Sequence, residues 1–169
     1  MLDVQEKRET LLRAAEMLAP VLPGFHFRVV ACGCGAGGAF AHGEFSLGQR
    51  RLILLIRYRS LLVIYRLGQA AVTHHEYREA LSLGQESLDG PSWFSGPVLS
   101  ALSAVKRELA QYGEDFVHGS GEQFLRIAAG YAARQTGPVV LSCFQKLGAP
   151  GRGRNRDVTK LCLYENVAG

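Results

Sequence analysis

No stretch of this 169-residue chain approaches the run of about 20 apolar residues that a membrane-spanning helix needs; its most apolar part is cut by Arg57 and Arg59. The amino-terminal MLDVQEKRETLL is charged and lacks an apolar signal core, which makes a cytoplasmic protein the expectation. Cysteine is sparse. Cys32, Cys34, Cys143 and Cys162 are the full set, and Cys32-Gly-Cys34 is too tight for an easy internal disulfide. With no second close pair to complete a zinc site, the expectation is reduced thiols and no metal. A Walker loop is excluded because no Gly-Lys-Ser/Thr ending is present. Ser120 has only Gly119 and Gly121 beside it, not the Gly-x-Ser-x-Gly elbow of a nucleophile, so no catalytic residue and no cofactor are expected.

What is present describes a globular domain. Apolar residues make up 47% and charged residues 20%, and the length suffices for one domain with a core that needs no staples. Leu52 to Tyr58 and Leu61 to Leu67 are short runs of Leu, Ile, Val and Tyr, whose length and β-branched content favour strands. Their apolar character is nearly unbroken, as for a central pair covered on both faces. Arg57, Arg59 and Ser60 mark a tight turn between them, and Gly68 ends the second. Thr73-His74-His75-Glu76 then offers a capping box, with the Thr73 hydroxyl on the Glu76 amide and the Glu76 carboxylate on the Thr73 amide. That box starts a helix through roughly Leu83, with Gly84 as its stop.

The rest of the chain packs around this hub. Asp3 to Ala19 is an amphipathic helix with Asp3 and Glu6 as its cap and Leu11, Ala15, Leu18 and Leu22 at helical spacing. Phe25 to Ala31 alternates as a strand, and Ala39 to Leu47 is the next. The glycine-rich Cys32 to Gly38 between them contains Gly33-x-Gly35-x-x-Gly38. A dinucleotide fingerprint would need a helix next and an acid about 20 residues on. A strand follows instead, and Arg57, Tyr58 and Arg59 stand where the acid belongs, so a hairpin loop is expected. A third helix runs from Pro97 to Tyr112 with Leu99, Leu102, Val105, Leu109 and Tyr112 inward. Ser120-x-x-Gln123 caps a fourth, with Phe124, Ile127, Ala128 and Tyr131 inward. Val139 to Leu147 and Val158 to Tyr164 read as two last strands around the basic loop GAPGRGRNRD. The expected fold is α+β, an antiparallel sheet of about four to six strands with about four helices in a single domain spanning 1–169. Its parts are an amino-terminal helix (1–24), a strand meander (25–67), a helical part (73–136) and carboxy-terminal strands with a basic loop (138–169).

At the hub, LLIRYRSLLVIYRLGQAAVTHHEYREAL resembles small uncharacterised bacterial proteins of the polymorphic-toxin immunity-protein type. In those a hydrophobic hairpin leads through a Gly into a helix beginning Thr/Ser-His-x-x-Tyr. LAQYGEDFVHGSGEQF is similar in style to their aromatic-acidic second half, and the resemblance spans about residues 40 to 130. It implies a non-catalytic domain that binds and neutralises a toxic enzyme.

Charge is segregated along the chain. His26 to Arg66 holds six Arg against Glu44, Glu76 to Glu122 holds eight acids against Arg78, Lys106 and Arg107, and Arg126 to Lys160 holds seven Arg and Lys against Asp157. If the acids share a face they suit a basic partner; otherwise they are the solvated sides of amphipathic helices. The candidate contact residues are Trp93 and Phe94, an aromatic pair in a polar loop, with Glu108, Glu114, Asp115 and Glu122. Trp93 and Phe94 have the alternative of plugging the core beneath their loop.

The alternative function is nucleic-acid association through Arg152, Arg154, Arg156 and Lys160, a glycine-spaced basic segment without aromatic residues between. A third is a metal-dependent hydrolase on His74, His75 and Glu79. There the sequence supplies no third ligand beyond the merely available His26, His42 and His118, and a helix amino end disfavours a positive imidazole. The leading expectation is a protein-interaction domain, an immunity or inhibitor protein with a protein partner such as a toxin or enzyme.

Overall fold

A computed structural model describes residues 4–35, 38–81, 93–94 and 97–134. The chain begins with α1 (Val4–Leu18) and a 3-10 turn (Ala19–Val21). Five strands follow: β1 (His26–Gly35), β2 (Gly38–Leu47), β3 (Arg50–Arg57), β4 (Ser60–Leu67) and β5 (Ala70–Thr73). Then come α2 (His74–Ala80), the two-residue β6 (Trp93–Phe94), α3 (Val98–Tyr112), α4 (Glu114–Val117) and α5 (Glu122–Arg134). The five strands form an antiparallel meander in chain order. β5 and β6 share the far edge of β4, β5 along Ile64 to Leu67 and β6 opposite Leu61 and Leu62. The α+β architecture is thus as expected, with the helices gathered on one side of the sheet. Among the described residues no helix is long and apolar enough to cross a membrane.

The three described turns of the meander are two residues long, and each places its first residue in the left-handed region: Gly48 at φ 57°, Tyr58 at φ 53° and Gly68 at φ 60°. A tyrosine occupies the position that glycine holds in the other two. Its carbonyl accepts a hydrogen bond from the ammonium of Lys7, a side chain of α1 that is only 1% exposed. Burial lowers the pKa of Lys7. Arg57 lies over the Tyr58 ring, 5.2 Å from its centroid.

Strand alternation sorts the sheet into two faces. Ala41, Phe45, Leu52, Leu54, Ile56, Leu61, Val63 and Tyr65 pack with the helices, on Leu11 and Leu18 of α1, Leu102 and Leu109 of α3, Phe116 of α4 and Phe124 of α5. At Gly43 the Phe27 ring lies 2.7 Å from where a Cβ would stand, so only glycine lets β1 and β2 close under α1. Ile53, Leu62 and Ile64 point to the other face and form a second cluster with Leu55 and Ala71. The hub is buried on both faces, as its unbroken apolar character requires.

Six features depart from the sequence reading; one is that Trp93 and Phe94, read there as part of a loop, form the short strand β6 paired with β4. The stretch Cys32 to Gly35 is strand, not loop: β1 continues through it, paired with β2 down to Gly35 opposite Gly38. A register shift between Val29 and Ala31 absorbs the change of face, and the Phe40 ring, 3.5 Å from a notional Gly33 Cβ, covers the missing side chain. β5 was not foreseen, because AAVT is too short to show a period. Nor was α4. Leu99 and Tyr112 lie 36% and 37% exposed, and Val98, Leu102, Val105 and Leu109 make the buried stripe of α3 instead. At the start of α5 the carboxylate of Asp115 accepts from the amides of Phe124, at 2.9 Å, and Gly121, at 3.2 Å, while Ser120 accepts only from Glu122, at 3.3 Å. Asp115 wins because two amides converge on one charged acceptor. Asp3, Gly84 and the expected strands and basic loop of 138–169 lie outside the described residues.

Candidate partner-binding site

The Thr73 capping box forms as the residue order dictates: Thr73 Oγ1 accepts from the Glu76 amide and Glu76 Oε2 accepts from the Thr73 amide at 2.7 Å. It aims His74 inward beside Tyr65, which alternation on β4 also turns inward. Tyr65 Oη and His74 Nδ1 are 2.6 Å apart, and His74 Nε2 stands 2.8 Å from Glu108 Oε2 of α3. The carboxylate can only accept, so Nε2 donates to Glu108, and Nδ1 meets the Tyr65 hydroxyl. Arg78 Nε lies 3.3 Å from Glu108 Oε1, out of line for a hydrogen bond.

Burial drives the Tyr65 hydroxyl well above its ordinary pKa, reinforced by Tyr77 and the Glu108 charge. Burial, with Asp115 nearby, pushes Tyr77 up to about 12. For Glu108 burial alone would raise the carboxyl, but the His74 hydrogen bond and charge, with the charges of Arg78 and Arg107, hold it below its ordinary value. The void among Tyr65, His74, Tyr77, Arg78 and Glu108 is only about 10 Å³, too small for any substrate. These residues make a latch that joins α2 and α3 to the sheet.

The latch redistributes the residues singled out in the sequence. Glu108 is not an open acid, since its side chain is 14% exposed and committed to His74 and Arg78. Asp115 is the cap of α5. Glu114 and Glu122 are exposed. Trp93 and Phe94 lie in β6 on the edge of β4. His74 turns into the core and Glu79 outward to accept the Tyr131 hydroxyl at 2.8 Å, so the His74, His75 and Glu79 set is divided. His26 and His118 are exposed. Among the described residues no three His, Cys, Asp or Glu side chains gather to hold a metal. Arg152, Arg154, Arg156 and Lys160 lie outside the described residues. No signal in the sequence joins Tyr65, His74 and Glu108; the last two are 34 positions apart.

Between α2 and α5 lies an open cleft of about 520 Å³, which sequence reasoning missed. Glu79 and Ala80 of α2 line one side, and Gln123, Arg126, Ile127, Gly130 and Tyr131 of α5 the other. A Cβ at Gly130 would meet nothing within 4 Å, so no neighbour in the described fold demands glycine there. Glycine in a helix interior costs about 1 kcal/mol against alanine.

The second face of the sheet carries the other polar group of note. Glu44, with a side chain 9% exposed, pairs with Arg51 at 2.7 Å and with Arg28 at 3.4 Å. His42 beside it is 6% exposed, and its Nε2 has no hydrogen-bond partner among the described residues. Burial lowers its pKa, more than the Glu44 charge raises it. On the opposite side, burial raises the Cys32 thiol. No family model matches the chain, and neither a curated protein nor a solved structure matches it.

Proposed function

We propose that the protein is a non-catalytic interaction domain of the immunity or inhibitor kind, acting in the bacterial cytoplasm by binding and neutralising a partner protein. The observation that carries this reading is the contrast between a closed latch and an open cleft. Tyr65, His74, Glu108 and Asp115, the residues best suited to proton transfer, hold helices to the sheet and to one another. The α2–α5 cleft is lined by both charge signs, a tyrosine and Ile127, and Gly130 leaves open space where a side chain would stand. A cleft of that size with a few polar groups suits the insertion of a partner's anchoring side chain. Glu114 and Glu122 at the start of α4 and α5 give a basic partner its orientation.

The test begins with a nuclease-treated pull-down washed at high salt, with bound polypeptides identified by mass spectrometry. A stoichiometric polypeptide is then titrated against the wild type and Gly130→Leu. The variant folds normally, because open space receives the new side chain, and loses at least tenfold in affinity. Equal affinity of the two rejects the cleft as the contact surface.

A further inference from the structure

β1 ends the sheet, and among the described residues nothing pairs with its outer edge. That edge is ten residues long, carries no proline and has Arg28 as its one formal charge, so it lacks the side-chain guards that keep free edges apart. Its one irregularity is the register shift at Val30, which is skipped in the pairing with β2 and is 42% exposed. Phe27, Val29 and Cys32 pack with the helix-side core, so the shift puts three steps instead of two between the last pair.

α1 lies above this edge and packs on both β1 and β2. Leu11 Cδ1 stands 3.0 Å from where a Gly43 Cβ would be, and Gly43 is the partner of Val29. Burial raises the Cys32 thiol against a backbone hydrogen bond of His42 and the charge of Arg8, so Arg8 stands on the β1 side of α1. Leu12, 37% exposed, and Glu16, also exposed, follow Arg8 at four-residue spacing along that side.

We propose that β1 pairs antiparallel with β1 of a second copy about a twofold axis, making one continuous sheet across a homodimer. Placing Val30 opposite Ala31 of the second copy sets the two register shifts side by side. Val29 then meets Cys32 on the helix face and Arg28 meets Gly33 on the other, so both sides of the shift keep matching faces and no arginine meets an arginine. The helix layer agrees. With strands about 4.8 Å apart, a helix over β1 and β2 stands roughly 10–14 Å from its symmetry mate, close enough to be bridged by side chains. Antiparallel about Leu12, the two leucines meet on the axis, and Arg8 of each copy meets Glu16 of the other. A strand from an unrelated partner supplies neither the matching shift nor this stripe, which is why the occupant is a second copy. α2 and α5 pack toward β5 at the opposite edge, so the dimer leaves their cleft free.

The test is sedimentation velocity of the full chain from about 1 to 200 μM, a range suited to so small an interface. The wild type is expected to pass from monomer to dimer and Leu12→Glu to stay monomeric. Arg8→Glu and Glu16→Arg should each weaken dimerisation about tenfold by setting like charges together, and the double variant should restore it. Hydrogen exchange of the peptide covering 26–35 should slow with concentration in the wild type and not in Leu12→Glu. A wild type that stays monomeric throughout, a dimer that the single variants leave unchanged, or a double variant no better than either single one overturns the proposal.

Discussion

On the helix-covered face, Leu52, Leu54 and Ile56 of β3 and Leu61, Val63 and Tyr65 of β4 pack with residues far along the chain. On the opposite face, Ile53, Leu62 and Ile64 of the same two strands cluster, among the described residues, with residues of the sheet. Their polar groups divide in the same way. Tyr65 reaches through His74 to Glu108 on α3, so its hydrogen bonds join layers. Glu44 takes Arg28 and Arg51 from neighbouring strands, so its ion pairs join the sheet to itself. A hydrogen bond between layers is lost only when the layers part, and it therefore reports the stability of the whole domain. In the Glu44 pairs the arginines keep 65% and 35% of their side-chain surface, so added salt screens them in part.

Breaking that contrast should give effects of descending size. Phe116→Ala removes a ring that is 0% exposed and that meets Phe25, Tyr65 and Phe124, and should cost about 3–5 kcal/mol in urea denaturation. His74→Leu leaves the Tyr65 hydroxyl and the Glu108 carboxylate buried without their partner. About 1–3 kcal/mol is expected for each orphaned group, read as a lowered denaturation midpoint. Asp115→Ala removes the cap of α5 and should cost about 0.5–2 kcal/mol, with amide exchange rising first at Gly121 and Phe124. Glu44→Gln should cost only about 0.2–1 kcal/mol, and the difference from wild type should shrink in added salt.

The smallest effect is a pH dependence. The folded pKa of His42 lies below its ordinary 6.5, so the unfolded chain takes up a proton first as pH falls. Stability from this group is whole above pH 6.5 and is lost as pH drops from there to the lowered folded value. Glu108 acts further down. Its stabilisation is whole above the ordinary carboxylate value of 4.5 and is lost as pH falls through its lowered folded value. Denaturation midpoints from pH 7.5 to 5 should therefore decline in the wild type and flatten in His42→Leu.

The meander was legible because its signals are local. Strand content, a two-residue turn at Arg57 to Ser60, and the Thr73 capping box each lie within a few residues. Strand length in β1 was not, because a glycine reads as loop until Phe40 is seen to lie over Gly33 from the next strand. The stripe of α3 was misplaced at its two ends, since Leu99 and Tyr112 fit the same period as the buried residues and only packing separates them. The latch and the cap of α5 depend on carboxylates meeting partners through space. Glu108 and Asp115 look like surface acids until the fold brings His74 and the Phe124 amide to them. The cleft is the least legible feature, because Gly130 inside a helical pattern signals nothing about the open space beside it.

The central claim is that a partner binds at the α2–α5 cleft while the latch serves only to hold it. Hydrogen–deuterium exchange of the full chain, with and without the polypeptide retained at high salt, tests this most directly. The account predicts added protection in peptides covering 77–81 and 123–131 and unchanged exchange at Tyr65. Protection confined to the β1 edge, or none in α2 and α5, would contradict it.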